Sequence, residues 1–318
     1  MKSSTRTLAF NLLKIVISVG ALTYVLSTVD WPTLLDIVHQ VRWDYVGGAL
    51  ALSVAGVAIR GVRWMALLRG LGFAVPLWPP VKLYFVGTFF NAFLPTGLGG
   101  DAIRVVELGR YGVRPPEAAG TVLVDRASGL WTMFLMGLIA LPLGARNIPL
   151  PMVGLVTGVG LIAVIGGWLV AGTPLILWLG RQIHLPGQAK LERFYRAVSG
   201  CGYRALMQAC GISLIFNTMT ITVNLMLARS LNVNLSPSIF FMYSPILATA
   251  LLIPSIGGLG VGEAVYSLIY ATVSVSQEQA TMMSLGRYVV QTILPGIIGG
   301  ILYLVDGALG LKHTNSKE

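Results

Sequence analysis

The chain has 318 residues, of which 55% are hydrophobic and only 11% are charged, and its formal net charge is +10. A soluble domain has roughly 25% charged residues, so this composition excludes a water-soluble globule. Residues 147–180 and 230–262 contain no Asp, Glu, Lys or Arg, and a helix needs about 20 apolar residues to cross a bilayer. We therefore predict one all-α, multi-pass membrane domain whose positive charge serves topology and lipid headgroups rather than nucleic-acid binding.

The first half of the chain has three apolar segments that are long enough to cross the membrane, at residues 8–29, 45–68 and 115–143. Residues 8–29 are predicted to be a retained helix rather than a signal peptide, because the segment is too long and no small-residue cleavage site follows it. Before the third crossing, residues 83–95 would form only about 20 Å of helix and lead into the Gly-rich break at residues 96–100. This pattern is typical of a re-entrant hairpin, since irregular backbone at membrane depth must be buried or line a wet cavity.

The second half repeats this order of features. Crossings are predicted at residues 149–172, 205–228 and 279–305, and a basic loop is predicted at residues 173–204. A second Gly-rich break, at residues 255–262, separates two short apolar helices and predicts a second re-entrant hairpin.

The two halves are predicted to form an inverted repeat, with residues 1–145 and 146–318 as its units. Each unit has three crossings, and this odd number turns the second unit upside down relative to the first. An offset of 162 residues relates Gly100 to Gly262 and Asp101 to Glu263. The predicted fold is therefore an all-α polytopic protein with about six full crossings and two hairpins, and transporters with such repeats bind substrate near the midplane.

Ionisable residues at membrane depth are costly, and each is therefore a candidate for function. Asp101 and Glu263 each begin a short helix after glycines, so they either cap the helix or orient a neighbouring arginine while free N–H groups bind a headgroup phosphate. Arg104 and Arg110 flank the first hairpin, and as a pair their planar guanidinium groups suit a phosphate; the alternative is that they are positive-inside anchors. The candidate substrate-binding residues are Gly99, Gly100, Asp101, Arg104, Asp125, Arg126, Gly258, Gly260, Glu263 and Arg287.

Several charged residues also have purely structural interpretations. Arg60 and Arg63, near a helix end, are interpreted as snorkelling anchors, and Asp125 with Arg126 as a structural ion pair. The offset of 162 also relates Asp125 to Arg287, and both lie about 12 Å into their helices. We therefore expect these two residues to form an intramembrane ion pair between the repeats.

Motifs for common chemistry are absent from the sequence. It has no His, Cys and Asp cluster with metal-ligand spacing, no Walker loop and no Gly-x-Ser-x-Gly elbow. We expect no cofactor, no metal and no enzymatic activity.

A resemblance to a known family begins at residues 91–104, which read NAFLPTGLGGDAIR. This segment, the Asp125-Arg126 pair and the sequence PSIGGLGVGE at residues 254–263 are similar to the flippase-like transmembrane region of lysylphosphatidylglycerol synthases. The resemblance covers nearly the whole chain and implies movement of a lipid, or a lipid-linked sugar, between leaflets. We expect a stand-alone relative without the aminoacyl-transfer domain. Relatives often have a basic residue where this chain has Gly262, which implies a different headgroup preference.

These observations favour a flippase, or a transporter of lipid-linked intermediates, in a prokaryotic cytoplasmic membrane. Its expected partner is a phospholipid or a polyprenyl-phosphate-linked lipid with an anionic headgroup, and a homodimer or a membrane enzyme partner is compatible with this interpretation. One alternative is a non-transporting accessory subunit for a glycosyltransferase or lipid-modifying enzyme. A second is a membrane-embedded transferase that uses Asp101 or Glu263 as a base.

The distribution of Lys and Arg among the loops predicts that both termini lie in the cytoplasm. Single cysteines at Asp36 and Gln279 should therefore react with a membrane-impermeant thiol reagent from outside the cell, whereas a cysteine at Gln188 should react only from inside. Labelling of intact and lysed cells measures this difference. Labelling at Gln188 from outside would show that the predicted orientation is wrong.

Overall fold

The computed structural model describes residues 39–93, 99–172, 188–250 and 260–314, together with positions 32 and 36. The described elements are all helical, which confirms the predicted all-α class. Their five long apolar helices fit a polytopic membrane protein, and they are Trp43–Gly70, Pro115–Gly144, Leu150–Leu169, Tyr195–Ser230 and Gln277–Asp306. The predicted first crossing at residues 8–29 lies outside the described residues.

We number the described helices in chain order. In the first half they are α1 (Trp43–Gly70), α2 (Trp78–Phe93), α3 (Gly99–Leu108) and α4 (Pro115–Gly144). The others are α5 (Leu150–Gly172), α6 (Gln188–Ser230), α7 (Pro237–Ala250), α8 (Val261–Ala271), α9 (Gln277–Tyr288) and α10 (Leu294–Thr314). A π-helical turn, Val289–Ile293, joins α9 to α10.

Three helix limits differ from the sequence prediction by five residues or more. The last helix is predicted to end at residue 305, whereas α10 continues to Thr314. α2 begins at Trp78 rather than near residue 83, because Pro79 and Pro80 fit into a first helical turn, where a missing N–H costs little. The predicted loop at residues 173–204 is wrong from residue 188 onward, since α6 already begins at Gln188. α6 is interrupted only at Gly202, whose φ of 75° and ψ of 154° suit a residue without a Cβ.

Small residues allow the helices to approach each other closely, as is common in membrane proteins. α1 packs along α6, α2 packs against α10, and α7 packs against α4. A Cβ added to Gly299 would overlap the backbone of Phe85 between α10 and α2, and one added to Gly137 would meet Pro245 between α4 and α7. An ion pair between Lys82 and Asp306 also joins α2 to α10.

The first Gly-rich segment brings α2 and α3 into direct contact. The backbone N–H of Gly100 donates to Oδ1 of Asn91 over 2.9 Å, and a Cβ on Gly100 would overlap the carbonyl group of Gly87. Residues 94–98, at the tip of the predicted hairpin, lie outside the described residues. Gly100 does not have a positive φ, so its requirement for glycine comes from the close approach of Gly87.

Gly100→Leu should therefore destabilise the protein by about 1–3 kcal/mol or more, as overpacking does, and should separate α2 from α3. Gly109→Leu is the matched control, because no described atom lies within 4 Å of a Cβ at Gly109. Thermal unfolding of the purified variants in detergent measures the difference. Equal melting temperatures for the two variants would contradict the proposed contact.

Candidate functional site

The carboxylate of Asp125 on α4 is the centre of a buried polar network. Asp125 is completely buried. Its Oδ1 accepts a hydrogen bond from Nε of Arg63 over 2.7 Å, and its Oδ2 accepts from Nη2 of Arg104 over 3.3 Å. The hydroxyl of Tyr84 also donates to Oδ2. A buried carboxylate needs such partners, and here α1, α2 and α3 each provide one.

A second carboxylate, that of Asp101, continues this network. It binds Nη1 of Arg104 over 3.2 Å and Nε of Arg126 over 2.5 Å. Arg104 therefore bridges the two aspartates, and its guanidinium carbon lies 4.2 Å from the ring centroid of Trp64 and 3.8 Å from that of Tyr84. The prediction that Asp101 orients a neighbouring arginine is confirmed.

Arg63 is held by α4 and α6 as well as by Asp125. Its Nη1 donates to Oγ of Ser213 over 3.0 Å, and a Cβ added to Gly129 would lie 2.6 Å from the same nitrogen. Nδ2 of Asn217 donates to the carbonyl oxygen of Gly129 over 3.0 Å and to Oγ1 of Thr132 over 3.0 Å. Gly129 therefore leaves the space that the guanidinium of Arg63 occupies.

A cavity of about 340 Å³, the first cavity, lies beside this network. Its charged lining residues are Arg60, Arg63, Arg104, Arg126 and Asp101. The carboxylate of Asp125 is not part of the lining but binds Arg63 and Arg104 behind it. With Asp125 counted, four arginines face two aspartates, which leaves an excess of two positive charges. The side chain of Arg126 is 41% exposed and connects the cavity with the surface of α4. Guanidinium groups in this arrangement can bind a phosphate.

The acid and the arginine predicted in the second half lie elsewhere. Oε2 of Glu263 accepts from the backbone N–H of Gly260 over 2.6 Å, and Oε1 accepts from Oγ of Ser284 over 3.2 Å. Glu263 is therefore a helix cap, one of the two roles predicted for it, and Gly260 has the positive φ of 80° that favours glycine. The guanidinium of Arg287 lies over the ring of Tyr266, 5.7 Å from its centroid.

The remaining predicted glycines contribute less than expected. Gly99 and Gly100 are buried in the first turn of α3, and the N–H of Gly100 already has Asn91 as its acceptor. The N–H of Gly260 is likewise bound by Glu263, so neither N–H is free for a phosphate. Gly258 lies outside the described residues.

Three predictions about charged residues are wrong. Arg126 does not pair with Asp125, since its Nε binds the carboxylate of Asp101. Asp125 does not pair with Arg287, because its carboxylate is occupied by partners from α1, α2 and α3. Arg63 is not a snorkelling anchor, since it is only 3% exposed and binds Asp125. Tyr84 and Trp64 were not predicted as site residues. One signal was available, because residues three and four apart share a helix face, and Arg60, Arg63 and Trp64 have this spacing.

The family resemblance is also confirmed. The sequence matches the family described as Lysylphosphatidylglycerol synthase TM region over residues 11–299. A comparison with curated proteins finds no match. The family match indicates a role related to membrane lipids.

Asp125→Asn should destabilise the protein by about 3–5 kcal/mol, because it leaves the buried Arg63 without its carboxylate partner. The double variant Arg63→Gln/Asp125→Asn should lose less stability than the sum of the single variants, with a coupling energy of about 0.5–3 kcal/mol. Thermal and denaturant unfolding in detergent measure both quantities. A matched cycle of Asp125→Asn with Arg287→Gln should be additive, and additivity in the Arg63 cycle would contradict the ion pair.

Proposed function

We propose that this chain, which belongs to the lysylphosphatidylglycerol synthase TM-region family, moves an anionic, phosphate-bearing lipid or lipid-linked intermediate between the leaflets of a prokaryotic cytoplasmic membrane. The observation that carries the proposal is the first cavity, which is lined by four arginines and one aspartate. An excess of positive charge at membrane depth is costly without an anion. A bound phosphate supplies that anion.

The position of the network supports a site inside the bilayer. α4 has 30 residues and is about 45 Å long, so Asp125 lies about 15 Å from its first residue. The hydrocarbon core is about 30 Å thick. A headgroup bound beside Asp125 is therefore deep enough to be moving between leaflets rather than resting on one surface.

The charge of the cavity fits a phosphate, and its opening fits a lipid. The four arginines exceed Asp101 and Asp125 by two positive charges. A phosphate monoester such as polyprenyl phosphate carries close to two negative charges, and the phosphodiester of phosphatidylglycerol carries one, so the network can compensate either headgroup. Arg126 is exposed on α4, and Leu123 is 52% exposed one turn before it. We propose that the headgroup enters near Arg126 while the acyl or prenyl chains stay in the bilayer beside the apolar surface of α4.

The proposed mechanism includes an inverted repeat of six crossings and two re-entrant hairpins, with both termini in the cytoplasm. The pattern of helix packing supports it, since α2 packs against α10 while α7 packs against α4. In the proposed repeat, α1 corresponds to α6, α2 to α7, and α4 to α9 and α10. A two-fold axis between the halves therefore converts the contact of α2 with α10 into that of α7 with α4, and it leaves the contact of α1 with α6 unchanged. In this proposal, rocking of the repeats exposes the site to each leaflet in turn.

The two alternative functions have less support from the contacts. A transferase would need a free carboxylate as base, whereas Asp101 binds two arginines and Glu263 caps α8. An accessory subunit does not by itself require a positively charged cavity at membrane depth. The following test distinguishes the accessory role from the flippase, because an accessory subunit would not move lipid.

The test uses purified protein in phosphatidylcholine vesicles that contain tail-labelled phosphatidylglycerol or tail-labelled polyprenyl phosphate. The protein should accelerate the exposure of the inner-leaflet probe to an external quencher. Arg104→Gln should slow this movement by about tenfold or more, the equivalent of one lost charge-assisted hydrogen bond.

Arg110→Gln is the matched control, because Arg110 is 70% exposed and pairs only with Glu107 among the described ion pairs. It should move lipid at the wild-type rate. If folded wild-type protein does not exceed protein-free vesicles with either probe, the proposed flippase is excluded and the accessory role is favoured.

A further inference from the structure

A second cavity, of about 160 Å³, is adjacent to the first and shares Arg60 and Phe216 with it. On α1 the second cavity contacts residues that precede Arg60, whereas the first contacts Arg63, which follows it. On α6 the order is reversed, with Asn217 at the first cavity and Thr220 at the second. The two cavities are therefore stacked along the α1–α6 pair.

The pair of cavities covers a large part of the membrane. From Leu52 in the second cavity to Arg63 in the first, α1 rises by about 17 Å. This is more than half of the roughly 30 Å hydrocarbon core. The only described residues that line both cavities are Arg60 and Phe216.

Arg60 differs from the other arginines of the first cavity. Each of those binds an aspartate, whereas Arg60 has no carboxylate partner among the described residues. Its guanidinium carbon lies 5.2 Å from the ring centroid of Tyr84 and 5.0 Å from that of Phe216. Its Nε is buried and has no hydrogen-bond partner in the described part of the chain. Aromatic rings thus hold this cation while leaving it free to bind an anion.

The second cavity contains a further unused donor. Nε2 of Gln291 is buried without a partner in the described part of the structure, and Gln291 lies in the π-helical turn between α9 and α10. Such turns often occur at functional sites. The hydroxyls of Ser53 and Thr220 already donate to carbonyl oxygens of their own helices. Arg60, Gln291 and the hydroxyl of Thr292 therefore remain in the described lining to bind an anion.

Phe216 occupies the junction beside Arg60. Its ring lies next to Gly56 of α1, where an added Cβ would be 3.5 Å from the ring carbons. Because Phe216 lines both cavities, its apolar ring lies where they meet.

We propose that Arg60 passes the phosphate headgroup from the first cavity to the second, where Gln291 completes a second anion-binding position, and that Phe216 is the barrier between the two positions. This inference rests on the proposed function and identifies its transfer residue. Arg60 can act in this step because it lines both cavities. It also has no ion pair among the described residues that would have to break before it binds the phosphate.

The first test compares Arg60→Gln with Arg60→Lys in the vesicle assay with tail-labelled phosphatidylglycerol. Arg60→Gln should slow lipid movement by about tenfold or more, as the loss of a charge-assisted contact does, and Arg60→Lys should restore part of the rate. The melting temperature of Arg60→Gln should stay close to that of the wild type, because no ion pair is lost. A purely structural role would lower the melting temperature and would not be rescued by Lys.

The second test fills the second cavity. Thr220→Trp should block lipid movement while the first cavity still binds phosphatidylglycerol, as measured by native mass spectrometry of the purified protein. Thr218→Trp is the matched control, because Thr218 is exposed on the same helix and makes the same kind of hydrogen bond, to Leu214, that Thr220 makes to Phe216. It should move lipid at the wild-type rate.

The outcomes separate this proposal from the proposed function. If wild-type protein moves lipid and the folded Arg60→Gln and Thr220→Trp variants do so equally fast, the transfer step is refuted and the flippase stands. If the wild-type protein moves no lipid, both proposals fail. Should Thr220→Trp not fold, Gln291→Leu replaces it, since this change removes the amide donor with little change of volume, and an unchanged rate would refute the second anion position.

Discussion

The assembly of the first half depends on the burial of one carboxylate, that of Asp125. An isolated carboxylate in an apolar interior would cost more free energy than a folded domain has available. Its partners Arg63, Tyr84 and Arg104 belong to three different helices, so the charge is compensated only when all four helices have come together. Association of helices in lipid has no hydrophobic driving force and relies on packing and polar contacts. The network of Asp125 therefore determines how α1, α2 and α3 are placed against α4.

Small residues make this network geometrically possible. The guanidinium of Arg63 fits against α4 because Gly129 has no side chain, and α3 approaches α2 closely enough for Arg104 to reach Asp125 because Gly100 faces Gly87. Gly129 and Gly100 thus each bring two helices together and also place a charged group in the interior. Close helix packing and the burial of charge therefore depend on the same glycines. The first cavity is lined by the arginines that these contacts bury.

The sequence predicted the helices well and the partners of the charged residues poorly. Crossing helices are recognisable because a long apolar segment without charge is typical of a membrane span. α4 and α5 end within one residue of their predicted limits. The pairing of Asp125 with Arg287 was wrong because an offset identifies equivalent positions, and equivalence under a two-fold axis does not require contact. Arg63 was misinterpreted because distance from a helix end does not reveal which face a side chain occupies. Its partner becomes evident only when α3 and α4 are placed beside α1.

Asp101, the aspartate in the described lining of the first cavity, affects how a phosphate binds and leaves. A transported ligand must be bound strongly enough to enter and weakly enough to depart. Arg104 and Arg126 already have Asp101 as a partner, so a phosphate competes with a carboxylate for these two cations and gains only part of their interaction energy. The carboxylate is always present and re-forms its ion pairs when the phosphate leaves, which lowers the cost of release. The same arrangement that compensates buried charge in the empty protein thus limits the affinity of the site, and Arg60, which has no such competitor among the described residues, is the cation best able to draw the phosphate onward.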